Sequence, residues 1–285
     1  MNGQSSYTAS EDRVLLLTRV LSAGIVPFLV AAFIILFFKP GESGRLFAWP
    51  VRPSMTAMML GVTYLGGAYF FGAAAIIRQW HRIRLGFLPV TAFAATLGIS
   101  TLIHLDRFSH GQLAFQLWAL LYWTLPFVIP IAWYRNQQAV GAAAPGSEPI
   151  FPSPLRLAIG GMGAVMSVVS AILFLVPGLI IPTWPWSLTP LTARVMAAMF
   201  ALSGMVGLGV AIDGRWSSAK IPFTSQVISI ILILVSMLRA REEIAWTRLE
   251  SWFFIVGLTA VLTLIGWAAI EAKRLRGRDQ LEDKT

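Results

Sequence analysis

The chain has 285 residues, 56% hydrophobic and 12% charged, with a net charge of +9 and a mean hydropathy of +0.72. A soluble domain carries about 25% charged residues, and a large soluble core does not explain the deficit, because the apolar residues fall in uninterrupted runs. The absence of cysteine excludes a disulfide framework, thiolate metal sites and a thiol nucleophile.

Residues 1–13 are polar, with Glu11, Asp12 and Arg13 together, and read as a cytoplasmic tail. The apolar stretch that follows is too long for a signal-peptide core and lacks a small-x-small cleavage site, so it is expected to stay as the first helix. A spanning helix needs roughly 20 apolar residues. Eight runs meet that length: 14–38, 54–77, 87–105, 112–134, 156–178, 190–212, 221–239 and 250–272. They leave no room for a soluble domain. Gly and Pro punctuate the connections at Pro40-Gly41, Trp49-Pro50, Pro177-Gly178 and Trp184-Pro185. Residues 135–155, with Pro145-Gly146-Ser147, read as a flexible cytoplasmic linker, and 273–285 as a basic cytoplasmic tail.

Eight spans place both termini on one side. That side carries 14 Lys and Arg residues and the other 8, so the positive-inside rule puts the termini in the cytoplasm, of a cell (inner) membrane. The positive charge could point to nucleic acid. Its placement argues instead for anionic headgroups at the cytoplasmic surface: Lys273, Arg274, Arg276, Arg278 and Lys284 follow the last span, and Arg78, Arg82 and Arg84 share one short loop.

The chain also repeats itself. Arg19 recurs as Arg156, Pro40-Gly41 as Pro177-Gly178, Trp49-Pro50 as Trp184-Pro185, Trp80 as Trp216, Phe87 as Phe223, and Trp118 and Trp133 as Trp252 and Trp267. The shift stays between 134 and 137 residues. Tryptophan is rare enough that four matches in one register are persuasive. The expected fold is therefore an all-α integral membrane protein with eight transmembrane helices, built as two parallel four-helix repeats, 14–134 and 156–272. An even number of spans per copy returns the chain to its starting side, so the copies share one orientation.

Residues able to carry chemistry are few. The outer turn His104-Leu-Asp106-Arg107-Phe-Ser-His110 offers ligand types that zinc accepts, but in no recognised spacing. The second copy sets Glu242 opposite Asp106 and has neither histidine, so a structural polar turn is expected and no metal site. Trp49, Trp184 and Trp186 stand just before helices on the outer side, where headgroup anchoring accounts for them; the functional alternative is a pair of aromatic lids. No Asp, Glu or Lys falls near a span midpoint, which argues against proton-coupled transport and cation channels. No cofactor is predicted: His81 and His104 lie at opposite ends of the third span, unsuited to haem, and retinal would need a mid-helix lysine.

Small and hydroxyl residues dominate the interiors: Thr96 and Ser100 on the third span, Ser225, Ser229 and Ser236 on the seventh, and glycines on the second and sixth. They favour close helix packing. The fourth span differs, with Pro126 and Pro130 beside Tyr122, Trp123 and Thr124. Proline frees carbonyls within a span, so a ligand cleft is expected against this helix. Two functions fit: a carrier or binder of a small neutral or lipid-like molecule in a cleft between the repeats, or a non-catalytic membrane subunit that scaffolds a membrane-protein partner. With neither a nucleophile–base pair nor a metal triad, an enzyme ranks behind both.

Overall fold

The computed structural model describes residues 12–140 and 148–282, with side chains as far as Gly277. Among them, 8 helices are long and apolar enough to cross a membrane: α1 (Leu16–Phe38), α2 (Ser54–Ile76), α3 (Arg84–Ile103), α4 (Leu113–Val140), α5 (Ser153–Leu175), α6 (Pro190–Asp213), α7 (Trp216–Arg239) and α8 (Leu249–Glu282, crossing over Leu249–Gly277). The chain is an all-α, multi-pass membrane protein.

Helix boundaries follow local chemistry. A capping box starts α6: Thr189 Oγ1 accepts from Thr192 N at 3.2 Å, Thr192 Oγ1 accepts from Thr189 N at 2.8 Å, and Pro190 fills the first turn, where no N–H is needed. It ends at Gly214, whose φ of 72° suits glycine alone in this chain turn. Helix α5 stops short of Pro177.

Three boundaries differ from the sequence expectation. Helix α7 begins at Trp216, five residues before the apolar run. Its polar first turn is held by Glu148, which accepts from Ser217 N at 2.9 Å and from Ser217 Oγ. Helix α4 continues to Val140 because Asn136 is fully buried: its Nδ2 donates to Ala132 O at 2.7 Å and to Thr18 Oγ1, and its Oδ1 accepts from Leu15 N at 2.9 Å. The expected linker thus contracts from both ends, since α5 begins at Ser153; its residues 141–147, and 1–11 of the N-terminal tail, lie outside the described residues. The basic tail continues α8 as helix to Glu282. Nor do Pro126 and Pro130 break α4, which runs through both. Pro126 has no N–H for Tyr122 O, and Gly98 of α3 closes over that carbonyl, where a Cβ would fall at 2.5 Å.

Helix α1 packs on α2 and α3 on α4; α5 packs on α6 and α7 on α8. The halves interlock through α2 against α7 and α3 against α6, while α2 meets α6 and α3 meets α7 between them. Lipid tails are as apolar as leucine, so close packing rather than water exclusion holds such helices together. Small residues at the crossings permit it. On α5 and α6, a Cβ at Gly163 would lie 2.8 Å from both Gly204 O and Leu208 N. On α2 and α7, a Cβ at Gly66 would lie 2.8 Å from Ser225 Oγ and Ser229 Oγ, and Ser225 Oγ donates to Gly66 O at 3.0 Å.

Polar contacts at the two membrane faces complete the interlock. On the face where α2 begins, the Glu243 carboxylate accepts from Ser54 N at 3.0 Å and Met55 N at 2.8 Å, capping α2 from the other half. Arg239 Nη1 donates to Phe37 O at 2.7 Å. On the opposite face Arg84 pairs with Asp213, joining the start of α3 to the end of α6.

Candidate functional site

A cavity of about 270 Å³ lies within the bundle, walled by α2, α5, α6, α7 and α8 and touched by the start of α3. Met59, Met162, Met166 and Met199 line it together with Phe200 and Phe254. Methionine is flexible and polarisable, so a wall of four can adjust to an irregular guest. No charged side chain lines the cavity. Its polar groups are Thr63, Ser203, Ser225, Ser229 and Gln226. Thr63 Oγ1 donates to Met59 O at 3.0 Å and Ser225 is engaged with Gly66. Among the described residues, the Gln226 amide has no hydrogen-bond partner. It sits 10 residues into α7, about 15 Å along the axis from Trp216 and therefore close to mid-span. Gln226 is half-buried, and its amide is not among the polar atoms sealed in the packing. The cavity gives the amide an apolar room with an open polar contact.

Small residues line the cavity where their counterparts in the expected repeat are large. At the 136-residue shift that separates Phe87 from Phe223 and the helix starts Leu113 and Leu249, two more than separates Trp118 from Trp252, Ser229 stands opposite Phe93, Gly257 opposite Leu121, Leu258 opposite Tyr122 and Gln226 opposite Val90. In the first half, Phe93, Trp118 and Tyr122 are buried against one another, with Trp118 and Tyr122 ring centroids 4.1 Å apart, and Tyr122 OH donates to Tyr64 OH at 2.9 Å. The second half has no such plug. A Cβ at Gly257 would meet nothing within 4 Å.

The cleft expected beside α4 is therefore filled. Tyr122 belongs to the packed aromatic core; Trp123 and Thr124 are exposed on the outer surface of the bundle; Pro126, Pro130 and Thr96 are half-buried; Ser100 donates to Thr96 O at 2.6 Å within α3. None of these seven residues lines the cavity, and α8, not α4, forms its wall.

The tryptophans of the outer turns face inward rather than toward headgroups: Trp49 and Trp186 are 2% exposed and Trp184 7%. Trp49 packs on Phe47, Phe108 and Trp118, while Trp186 donates Nε1–H to Thr56 Oγ1 at 2.9 Å and stacks edge-on against Phe254.

The outer polar turn divides its residues. Asp106 and Arg107 pair at 3.0 Å in an exposed position, and Glu242 is exposed in the equivalent turn. His110 Nε2 lies 2.8 Å from Leu105 O, which makes that nitrogen the protonated donor. His104 Nε2 accepts from Arg194 Nη1 at 2.8 Å, tying α3 to α6. The two imidazoles are thus committed to different partners, and among the described residues no three His, Asp or Glu groups are placed to hold a metal ion.

Partial burial, and then the Arg194 charge, hold the His104 pKa below its ordinary value of 6.5. The neutral ring is the one that accepts from arginine. As pH falls below 6.5 the unfolded chain takes up this proton before the folded one, so stability must decline over that window. His104→Gln keeps an acceptor for Arg194 without a titrating ring. Its melting temperature should lose part of the wild-type decline between neutral pH and pH 5; an unchanged slope would show that His104 does not contribute.

No protein-family model, curated protein or solved structure matches this chain. Fold and geometry define it as a multi-span helical membrane protein with an uncharged internal cavity.

Proposed function

We propose that this protein binds, and in the fuller form of the reading carries, a small neutral or lipid-like molecule within the bilayer. One observation carries the proposal: the partnerless Gln226 amide facing an apolar cavity near mid-span. A scaffold subunit has no need of an internal void, because packing is what stabilises helices in lipid. The absence of lining charge supports a neutral guest. Gly257→Leu places a large side chain at a wall position where an added Cβ meets nothing within 4 Å, and so fills the space. A small molecule extracted with the wild-type protein and identified by mass spectrometry should be lost from this variant while the fold is kept. Equal recovery from both would overturn the proposal.

We further infer that the chain is a duplication whose copies share one orientation, with the termini in the cytoplasm of the cell (inner) membrane and the basic tail against anionic headgroups. Hydrogen bonds support the register. Arg19 Nε donates to Ala75 O and Arg156 Nε to Ala211 O, both at 2.8 Å. Val14 N donates to Arg78 O at 2.7 Å and Phe151 N to Gly214 O at 2.8 Å. The backbone amide of His81 is capped by Asp12 as that of Ser217 is by Glu148. Gly41 and Gly178 are register partners in open space. Single cysteines there should both react with an impermeant maleimide in intact cells. Reaction of one alone would refute the parallel repeat, and of neither the orientation.

A further inference from the structure

From the bilayer-binding reading above, we infer the class of guest and its route: an uncharged molecule dissolved in the bilayer, bearing one hydrogen-bonding group, that enters sideways between α5 and α8 and docks that group on Gln226.

The route follows from the walls. Val165 of α5 and Phe253 of α8 both line the cavity, yet they are 59% and 68% exposed on the outside of the bundle. The same residues therefore face guest and lipid, which places the cavity mouth on the membrane side of the protein. The α5–α6 crossing on the opposite flank is closed by Gly163, Gly204 and Gly207 at backbone contact. Helix α8 touches α5 without close glycine contact: a Cβ at Gly257 or Gly266 would meet nothing within 4 Å. A molecule already in the hydrocarbon reaches this mouth without crossing a headgroup layer.

The class follows from depth and donors. A phospholipid keeps its charged head at the interface, whereas Gln226 lies near mid-span and no lining side chain is charged. The Gln226 amide offers both a donor and an acceptor, so it takes a carbonyl or a hydroxyl equally. Ser203 of α6 and Ser229 of α7 also line the cavity without a side-chain hydrogen bond among the described residues, and either can complete the contact. A cavity of about 270 Å³ holds the volume of roughly nine waters, enough for a head and a short length of chain, the remainder trailing into the bilayer.

The test uses three diazirine-bearing probes of equal chain length in phosphatidylcholine nanodiscs: an alkane, the primary alcohol and the carboxylate. Photolabelled peptides are quantified by mass spectrometry. The alcohol should label the cavity segments of α5, α7 and α8 about 5- to 10-fold more than the alkane, the value of one neutral hydrogen bond. The carboxylate should not label them above the level seen on lipid-facing α1. Gln226→Leu should abolish the alcohol's advantage, and Val165→Trp should slow its labelling. If alcohol and alkane label the cavity alike, recognition by Gln226 is wrong although binding stands. Strong carboxylate labelling overturns the neutral class, and an unchanged rate in Val165→Trp overturns the lateral route. If no probe labels the cavity above the α1 level, and Gly257→Leu changes nothing, the binding reading itself fails.

Discussion

Gly163→Ala should destabilise the protein, while Gly161→Ala, two residues away on the same helix, should stabilise it. At Gly163 the added Cβ would lie 2.8 Å from Gly204 O and Leu208 N, both backbone atoms of α6, so neither can swing aside as a side chain would. The helices must separate, and the cost of such overpacking is about 1–3 kcal/mol. Relief of glycine's backbone entropy returns only about 0.5–1 kcal/mol. At Gly161 a Cβ meets nothing within 4 Å, so the entropic gain stands alone. Thermal unfolding in nanodiscs reads the two shifts. Shifts of the same sign would show that the α5–α6 crossing is looser than described.

Asp213→Ala should be the most damaging single change on the membrane face where α3 begins and α6 ends. The Asp213 side chain is 4% exposed and pairs with Arg84, itself 28% exposed. Breaking a buried pair costs about 3–5 kcal/mol, because the remaining charge loses its partner. Arg84 can turn partly toward water, which places the expected loss at the lower end of that range. The double variant Arg84→Leu with Asp213→Leu removes both charges and should recover most of the stability. A double variant as unstable as the single would mean that the pair is not the cause.

The legible part of the fold was the part governed by length and hydropathy. Eight runs of bilayer length gave eight helices because, in lipid, a backbone segment has few other ways to satisfy its hydrogen bonds. Boundaries set by side-chain caps were less visible. The start of α7 depends on Glu148, distant in sequence, and the end of α4 on Asn136 reaching Thr18. Asp213 was visible as an acid near a span end, where snorkelling to water is the simple reading; its burial against Arg84 required the packing of α3 on α6.

The cavity was harder to read. Pro126 and Pro130 drew attention to α4 because proline opens carbonyls, yet Gly98 closes over Tyr122 O and large aromatics fill the space. Gln226 gives no signal by charge, because an amide is not ionisable. A signal is nonetheless present at a shift of 136 residues: Phe93 against Ser229, Tyr122 against Leu258 and Leu121 against Gly257 all lose volume. Losses clustered on facing positions mark a void that no single position reveals.

What occupies that void decides the function most directly. Cryo-EM of the wild-type protein and of Gly257→Leu, both in native-lipid nanodiscs without added ligand, reads it. The wild type should show elongated non-protein density among α2, α5, α6, α7 and α8, in contact with Gln226 and emerging between Val165 and Phe253, and the variant should not. An empty cavity in the wild type, or the same density in both, would contradict the account.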